Sequence, residues 1–355
     1  MRRLASLALL ALVLTAPTAA RQSPGTQGIG TTAFESYVES LRQQAGIPAI
    51  SGALVQDGVV VWERGLGFAN VEGKVRATPD TPYPVADLSQ PFAAVLLLQC
   101  VEQRRLELDA PLQQYGVRTQ DQSATLRQLL SHSANAIGGA FKYDPERYAQ
   151  LTGAMEYCAP QPYRKSVAHR LLERLAMIDS VPGRDMRGAE AAADGLFAQA
   201  ALERYARTLE RMAVPYRIDK NRRATRNEVP VDGLTAASGL VSTVRDLARF
   251  DAALDSGILM DEETLAASWS PTLAPDRSPL PTGLGWFVQN YRGTPVVWHF
   301  GVVPNAYSAL IVKVPSRRAT MILLANSDGL AHPYQLEAGD VTRSLFASVF
   351  LRMLL

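Results

Sequence analysis

Residues 65–115 read GLGFANVEGKVRATPDTPYPVADLSQPFAAVLLLQCVEQRRLELDAPLQQY. The centre of this stretch, from about 87 to 104, is apolar enough to predict a long helix. Immediately upstream lie two extended runs, ISGALVQ and VVVWERGLG, joined at Asp57-Gly58. Asp-Gly between such runs is a strong hairpin signal, because both turn positions need positive φ. Gly65-Leu66-Gly67 is not a dinucleotide fingerprint: the third required position is Asn70, and no βαβ unit surrounds it.

Working outward, residues 33–46 have helical spacing and stop at Gly46. Beyond the central helix the chain reads as mostly helical to 213, with helices at 125–133, 145–177 (interrupted near Pro160 and Pro162) and 188–213. Residues 214–230 carry Arg217, Lys220, Arg222, Arg223 and Arg226 and read as a solvated hairpin, with a partner-binding patch as the other reading. After Gly239 come a helix, then strands ending PVVWHFGV, SALIVKVP and ATMILLANS, then an amphipathic helix over 336–355. Strands at both ends with helices between predict an α+β fold. One antiparallel sheet would be built from about 33–86 and 231–355 and flanked by the terminal helices. A helical lobe would be inserted at about 87–230, leaving a cleft between the lobes.

The chain has 355 residues, 47% hydrophobic and 20% charged, with net charge +2. That suits a globular protein with a sizeable core and gives no bulk electrostatic case for nucleic acid. Arg2 and Arg3, the apolar run Leu4 to Ala16 and small residues at Thr18-Ala19-Ala20 predict a secretory signal over 1–20. A flexible lead-in follows at 21–32. The expected product is exported, periplasmic or extracellular, with no integral membrane segment. Neither CxxC nor HExxH occurs and the four histidines are scattered, so no metal or cofactor is expected. An oxidising compartment permits a bridge between Cys100 and Cys158, but the apolar setting of Cys100 (VLLLQCV) favours a buried free thiol.

The stretch 65–115 resembles the nucleophile region of serine β-lactamases and penicillin-binding-protein relatives, closest to the class C and esterase-like branch. The resemblance continues through LRQLLSHSAN, YDPERYAQL, LERLAMIDSVPG, AASGLVSTVRDLARFDAAL, WHFGVVPNAYSALIVKVP and MILLANSDG, over roughly residues 33–350 in the expected order. It implies a β-lactamase/transpeptidase-like fold and three signatures around one cleft. The first, Ser-x-x-Lys, pairs an acylated hydroxyl with a proton-accepting amine on one helical face. Here it reads Asp87-Leu88-Ser89-Gln90. Shifting the register to Ser89 puts Phe92 at the base position. The five lysines are preceded three residues earlier by Val71, Gly139, Pro162, Arg217 and Leu310, so no Ser-x-x-Lys exists in any register.

The second signature, Tyr-x-Asn, reads Tyr143-Asp144-Pro145; without a neighbouring ammonium, Tyr143 is expected to stay protonated and donate. The third reads His299-Phe300-Gly301, the His-x-Gly form of esterase-like relatives. The resemblance implies an oxyanion hole from the backbone N–H groups of Asp87 and Val302. His132, in His-Ser-Ala-Asn, is expected to be a capping or core residue. Asp87 and Gln90 by themselves fit a capping box, with Asp87 accepting from Ser89 or Gln90 N–H and Gln90 reaching back. The functional expectation is a pseudoenzyme binding a peptide-like or cell-wall-derived ligand. The alternative is a hydrolase of ester, amide or β-lactam working through non-standard residues. Oligomeric state is left open.

Overall fold

The computed structural model describes residues 30–117, 121–134, 140–159, 161–187 and 195–355. The expected signal, most of the lead-in, Pro160 and the start of the expected helix at 188 lie outside the described residues.

Helix α1 (Thr31–Ala45) ends where Gly46 takes φ 71° and its N–H caps the Arg42 and Gln43 carbonyls. Strands β1 (Ala49–Gln56) and β2 (Val59–Asn70) form the expected hairpin, with Asp57 at φ 53° and Gly58 at φ 76°. β3 (Val75–Arg76) extends it. β4 (Tyr83–Pro84) leads into helix α2 (Gln90–Glu102). β5 (Tyr216–Ile218) and β6 (Ala224–Arg226) pair as the basic hairpin, and β7 (Val241–Ser242) pairs with β4. The chain returns through β8 (Phe287–Tyr291), β9 (Thr294–Val303), β10 (Tyr307–Val314) and β11 (Ala319–Ala325).

Seven strands make one antiparallel sheet in the order β3-β2-β1-β11-β10-β9-β8. The β1–β11 pairing, from Ile50↔Ala325 to Gln56↔Ala319, joins the two ends of the chain. β10 and β11 are mostly apolar and are buried at every residue because both faces of the sheet are covered. Leu310, Val312, Met321 and Leu323 pack with Phe34 and Val38 of α1 and with Phe346 and Phe350 of the helix Leu345–Leu354. Ala309, Ile311, Ile322 and Leu324 pack on the opposite face with α2 and the helix Val244–Asp255. The fold is α+β, as expected, with one sheet built from both ends of the chain.

Several expected elements are shorter than the pattern implied. The C-terminal helix covers only Leu345–Leu354. Gly339, at φ 84°, ends an upstream 3₁₀ turn, and Ser344 caps the helix by accepting from Ala347 N–H. The expected helix 145–177 is broken into Pro145–Ala149, Leu151–Cys158, Tyr163–Val167 and a π-helical turn Ala168–Glu173. The expected helix 125–133 spans Leu126–Leu130, and it carries the capping box, between Thr125 and Gln128.

The cysteines are also not free. Cys100 and Cys158 form a disulfide, with their Cα atoms 6.3 Å apart. The apolar setting around Cys100 is real, but it is where α2 meets the helix Leu151–Cys158, and that contact supplies the partner thiol.

Candidate functional site

A short 3₁₀ turn, Ala86–Ser89, precedes α2 and presents Asp87. Ala86 sits at φ 50°, a left-handed conformation that costs an L-residue about 1 kcal/mol. Strand β9 crosses close to this turn at Gly301. A Cβ there would lie 2.0 Å from the Val85 carbonyl oxygen and 3.0 Å from the amide nitrogens of both Asp87 and Leu88. Glycine is therefore required for β9 to reach the turn. That approach brings the next residue, Val302, near the Asp87 carboxyl, whose pKa its backbone N–H lowers.

The expected capping box does not form. No side chain caps this turn or the start of α2. Gln90 turns instead to Tyr143, His132 and His299, and Tyr143 and the Val302 backbone N–H both act to lower the pKa of the Asp87 carboxyl.

Gln90 is fully buried and sits at the centre of a neutral network. Its Nε2 donates to Tyr143 Oη at 3.3 Å, and its Oε1 lies 2.9 Å from His132 Nε2 and 3.3 Å from His299 Nε2. The proton positions follow from one fixed donor. Asp144 N–H donates to His132 Nδ1 at 3.1 Å, so the His132 proton is on Nε2 and is donated to Gln90 Oε1. His299 Nε2 faces the same oxygen, while its Nδ1 lies 2.8 Å from the Phe300 carbonyl oxygen and 2.9 Å from the Phe300 amide nitrogen. Burial pushes His132 down to about 3, with the nearby His299 adding to the effect, and burial pushes His299 down to about 4. Both imidazoles are therefore neutral at ordinary pH.

Tyr143 is held well above the usual phenol range by burial and then by the charge of Asp87. It is a donor, as expected, and not a base. Pro145, where the family pattern has an amide side chain, opens the helix Pro145–Ala149 behind the N-cap Asp144. Asp87 itself is raised to about 7, chiefly by desolvation, against the lowering effects of the Tyr143 and Val302 hydrogen bonds. Among the described residues no Arg or Lys acts on it.

Ser89 is not a substitute nucleophile. It is buried; its Oγ donates to the Ala86 carbonyl at 2.7 Å and accepts from Leu240 N–H at 3.2 Å. Lys313, the buried lysine of β10, is committed to Asp251 and Asp255 at 2.9 and 2.8 Å and is not in this network. The structure thus gathers Asp87, Gln90, Tyr143, His299, Gly301 and Val302 at one place, together with His132. Sequence reasoning missed Tyr148, whose buried hydroxyl donates to the Gln90 carbonyl at 3.1 Å and whose ring stacks on His132 at 5.2 Å. His132, expected to be a capping or core residue, is buried and is in addition a direct partner of Gln90. The spacing of His132 and Tyr148 in the chain carries no mark of a shared neighbour at 90. Among the described residues no group of three or more His, Cys, Asp or Glu is placed to hold a metal, and no helix is long and apolar enough to cross a membrane.

A turn leading into a buried helix, a tyrosine on a helical-lobe loop and a His-x-Gly strand, all meeting at the end of a covered antiparallel sheet, define the architecture of the serine β-lactamase and penicillin-binding-protein class. The chain belongs to the β-lactamase family, whose model matches residues 34–342. It is 33% identical over 119 residues to the mitochondrial serine β-lactamase-like protein LACTB of Mus musculus, covering 31% of this chain and 21% of that protein. It is 26% identical over 107 residues to protein flp of Staphylococcus aureus, covering 28% and 22%. The matched stretches thus span about a fifth of these curated relatives. In fold it is similar to the octameric penicillin-binding protein homologue from Pyrococcus abyssi, with TM-score 0.71, 22% identity and coverage of 91% of this chain and 77% of that one. It is also similar to the D-amino acid amidase from Ochrobactrum anthropi SV3, with TM-score 0.67, 18% identity and coverage of 90% and 99%.

Proposed function

We propose that this β-lactamase-family protein has lost acyl-serine chemistry and acts as an exported, non-catalytic binder of a peptide-like or cell-wall-derived ligand. One observation carries the reading. The carboxyl of Asp87 stands at the nucleophile position, beside the strand at Gly301 and the Val302 N–H that the oxyanion of an acyl intermediate would need. A carboxylate attacking an ester or amide carbonyl would have to form a strained mixed anhydride. Gln90, hydrogen-bonded on both its oxygen and its nitrogen, accepts no proton. Losing the nucleophile of a serine hydrolase costs on the order of 10⁶ in turnover, and about 10³–10⁴ over water survives through binding and the oxyanion hole. A resident anion in that hole removes part of the remainder. Export is supported by the Arg2-Arg3 and Leu4–Ala16 pattern and by the Cys100–Cys158 bridge, since disulfides persist in oxidising compartments.

A second reading draws on the Asp87 carboxyl lying near 7, where a general base for water attack works best. It is weaker because the same carboxyl fills the hole that would stabilise the intermediate. Hydrolysis of a chromogenic cephalosporin and of short-chain nitrophenyl esters separates the two. The expected result is no turnover above background by the parent protein, with the double substitution D87S/Q90K run beside it as the attempt to restore chemistry. Turnover by the parent that disappears in Asp87→Ala would establish the second reading.

A further inference from the structure

The hairpin of β5 and β6 displays cations from a fixed platform. Residues 216–228 carry five basic side chains, Arg217, Lys220, Arg222, Arg223 and Arg226, against two acidic ones, Asp219 and Glu228. All five are exposed. Arg226 has Glu72 as an electrostatic neighbour; among the described residues the other four take part in no ion pair. The hairpin is tied down at both ends. Tyr216 is buried, its N–H donates to the Asn326 carbonyl at 2.9 Å, and its Oη accepts from Val71 N–H at 2.8 Å. At the tip, the Arg222 carbonyl oxygen would lie 2.5 Å from a Cβ on Gly46, so the turn rests on the end of α1.

Beside that tip lies a cavity of about 560 Å³, which none of Asp87, Gln90, Tyr143 or His299 lines. Leu41 and Ala45 of α1, Ile218 of β5, Pro333 and Leu345 give it an apolar wall. Leu345, the first residue of the C-terminal helix, is 52% exposed. The charged groups of the cavity are Arg222, Asp219 and Asp328, beside the imidazole of His332. Both carboxylates are engaged with backbone: Asp219 accepts from Asn221 and Arg223 N–H at 2.8 and 2.9 Å, and Asp328 from Asn305 N–H at 2.8 Å. The Arg222 guanidinium has no such commitment.

We infer that this groove docks an acidic peptide segment of a partner protein, with an apolar side chain in the cavity and flanking carboxylates on Arg222 and the other exposed cations of the hairpin. Guanidinium groups match carboxylates in geometry as well as charge, and several displayed together steer an acidic segment to the site. The apolar wall selects a peptide over other polyanions. A phosphate polymer has nothing to bury against Leu41, Ile218 and Leu345, and a planar headgroup surface does not enter a concave site. The inference stands apart from the non-catalytic reading, since no residue of the Asp87 network takes part in it.

The test is titration of the full chain, by NMR or calorimetry, with three capped peptides: Glu-Glu-Leu-Leu-Glu-Glu, its Gln-Gln-Leu-Leu-Gln-Gln analogue and its Glu-Glu-Ser-Ser-Glu-Glu analogue. Inorganic polyphosphate and phosphatidylglycerol vesicles are separate arms. Saturable binding of the first peptide is expected, about tenfold tighter than either analogue and weaker at high salt. The double substitution R222E/R223E should lower that affinity about tenfold, the effect of two or three exposed ion pairs, and Leu345→Ser should lower it with the salt dependence kept. Both positions are exposed, and a cooperative melt shows that the variants fold. No saturable binding of the first peptide, equal binding of the Gln analogue, or unchanged binding in R222E/R223E overturns the inference. So does tighter binding of polyphosphate or of the vesicles than of the peptide, which would give the surface to a different class of partner.

Discussion

Replacing Asp87 by Asn should stabilise the protein, and by an amount that depends on pH. The folded state raises the Asp87 carboxyl from 3.8 to about 7, chiefly through desolvation. Between about pH 4 and 7 the folded protein therefore retains a proton that the unfolded chain has released. Stability falls as pH rises through that window, and the loss is complete above about 7. A shift of this size, at about 1.4 kcal/mol per unit, corresponds to at most about 4 kcal/mol, and partial exposure reduces it to roughly 2–3 kcal/mol. Asparagine is nearly isosteric with aspartate and does not ionise. At about 2.1 cal/mol/K per residue, a fold of this size gains about 1.5 °C per kcal/mol, so Tm should rise by roughly 3–5 °C at pH 8. At pH 4 the gain should be near zero. Calorimetry of both proteins at pH 4, 6 and 8 is the assay. An Asn variant no more stable than the parent at pH 8, or one equally stabilised at pH 4, would refute the desolvated and uncompensated carboxyl.

Other substitutions probe the same construction. Gly301→Ala places a methyl group 2.0 Å from the Val85 carbonyl oxygen, so β9 must retreat from the Ala86–Ser89 turn; thermal unfolding should show a loss of about 3 kcal/mol or more. Replacing Cys100 and Cys158 together by Ala should cost about 4 kcal/mol by loop-closure entropy for the 58-residue separation, read as a lower midpoint in denaturant, and reduction of the parent should reproduce most of it. Ser89→Ala removes the acceptor for buried Leu240 N–H and should cost about 1–2 kcal/mol in stability, while any trace of ester turnover in the parent should be unchanged in this variant.

Much of this architecture is legible in the chain because the relevant signals are local. Asp57-Gly58 dictates a hairpin by backbone conformation alone, and Gly46 ends α1 by the same means. The apolar runs of β10 and β11 mark strands covered on both faces. The positions around the site were legible through the order of the motifs. Their hydrogen bonds were not. Asp-x-x-Gln at a helix start has the local form of a capping box, but no such box forms, and β9 approaches the turn at Gly301, more than 200 residues later. The same applies to the hub at Gln90, whose partners come from a turn, a loop and a strand: His132, Tyr143 and His299. The disulfide was hidden because an apolar helix around Cys100 looks the same whether or not a second helix delivers a thiol to it. The early start expected for the C-terminal helix failed because amphipathic spacing runs through Gly339, whereas the backbone does not.

The central claim is that no acylatable hydroxyl is activated at the Asp87 position. The most direct measurement is intact-mass spectrometry of the full chain after incubation with a fluorophosphonate and, separately, with a penicillin. An unmodified mass is expected with both reagents. A stable adduct mapping to a serine or threonine hydroxyl of this cleft would contradict the account.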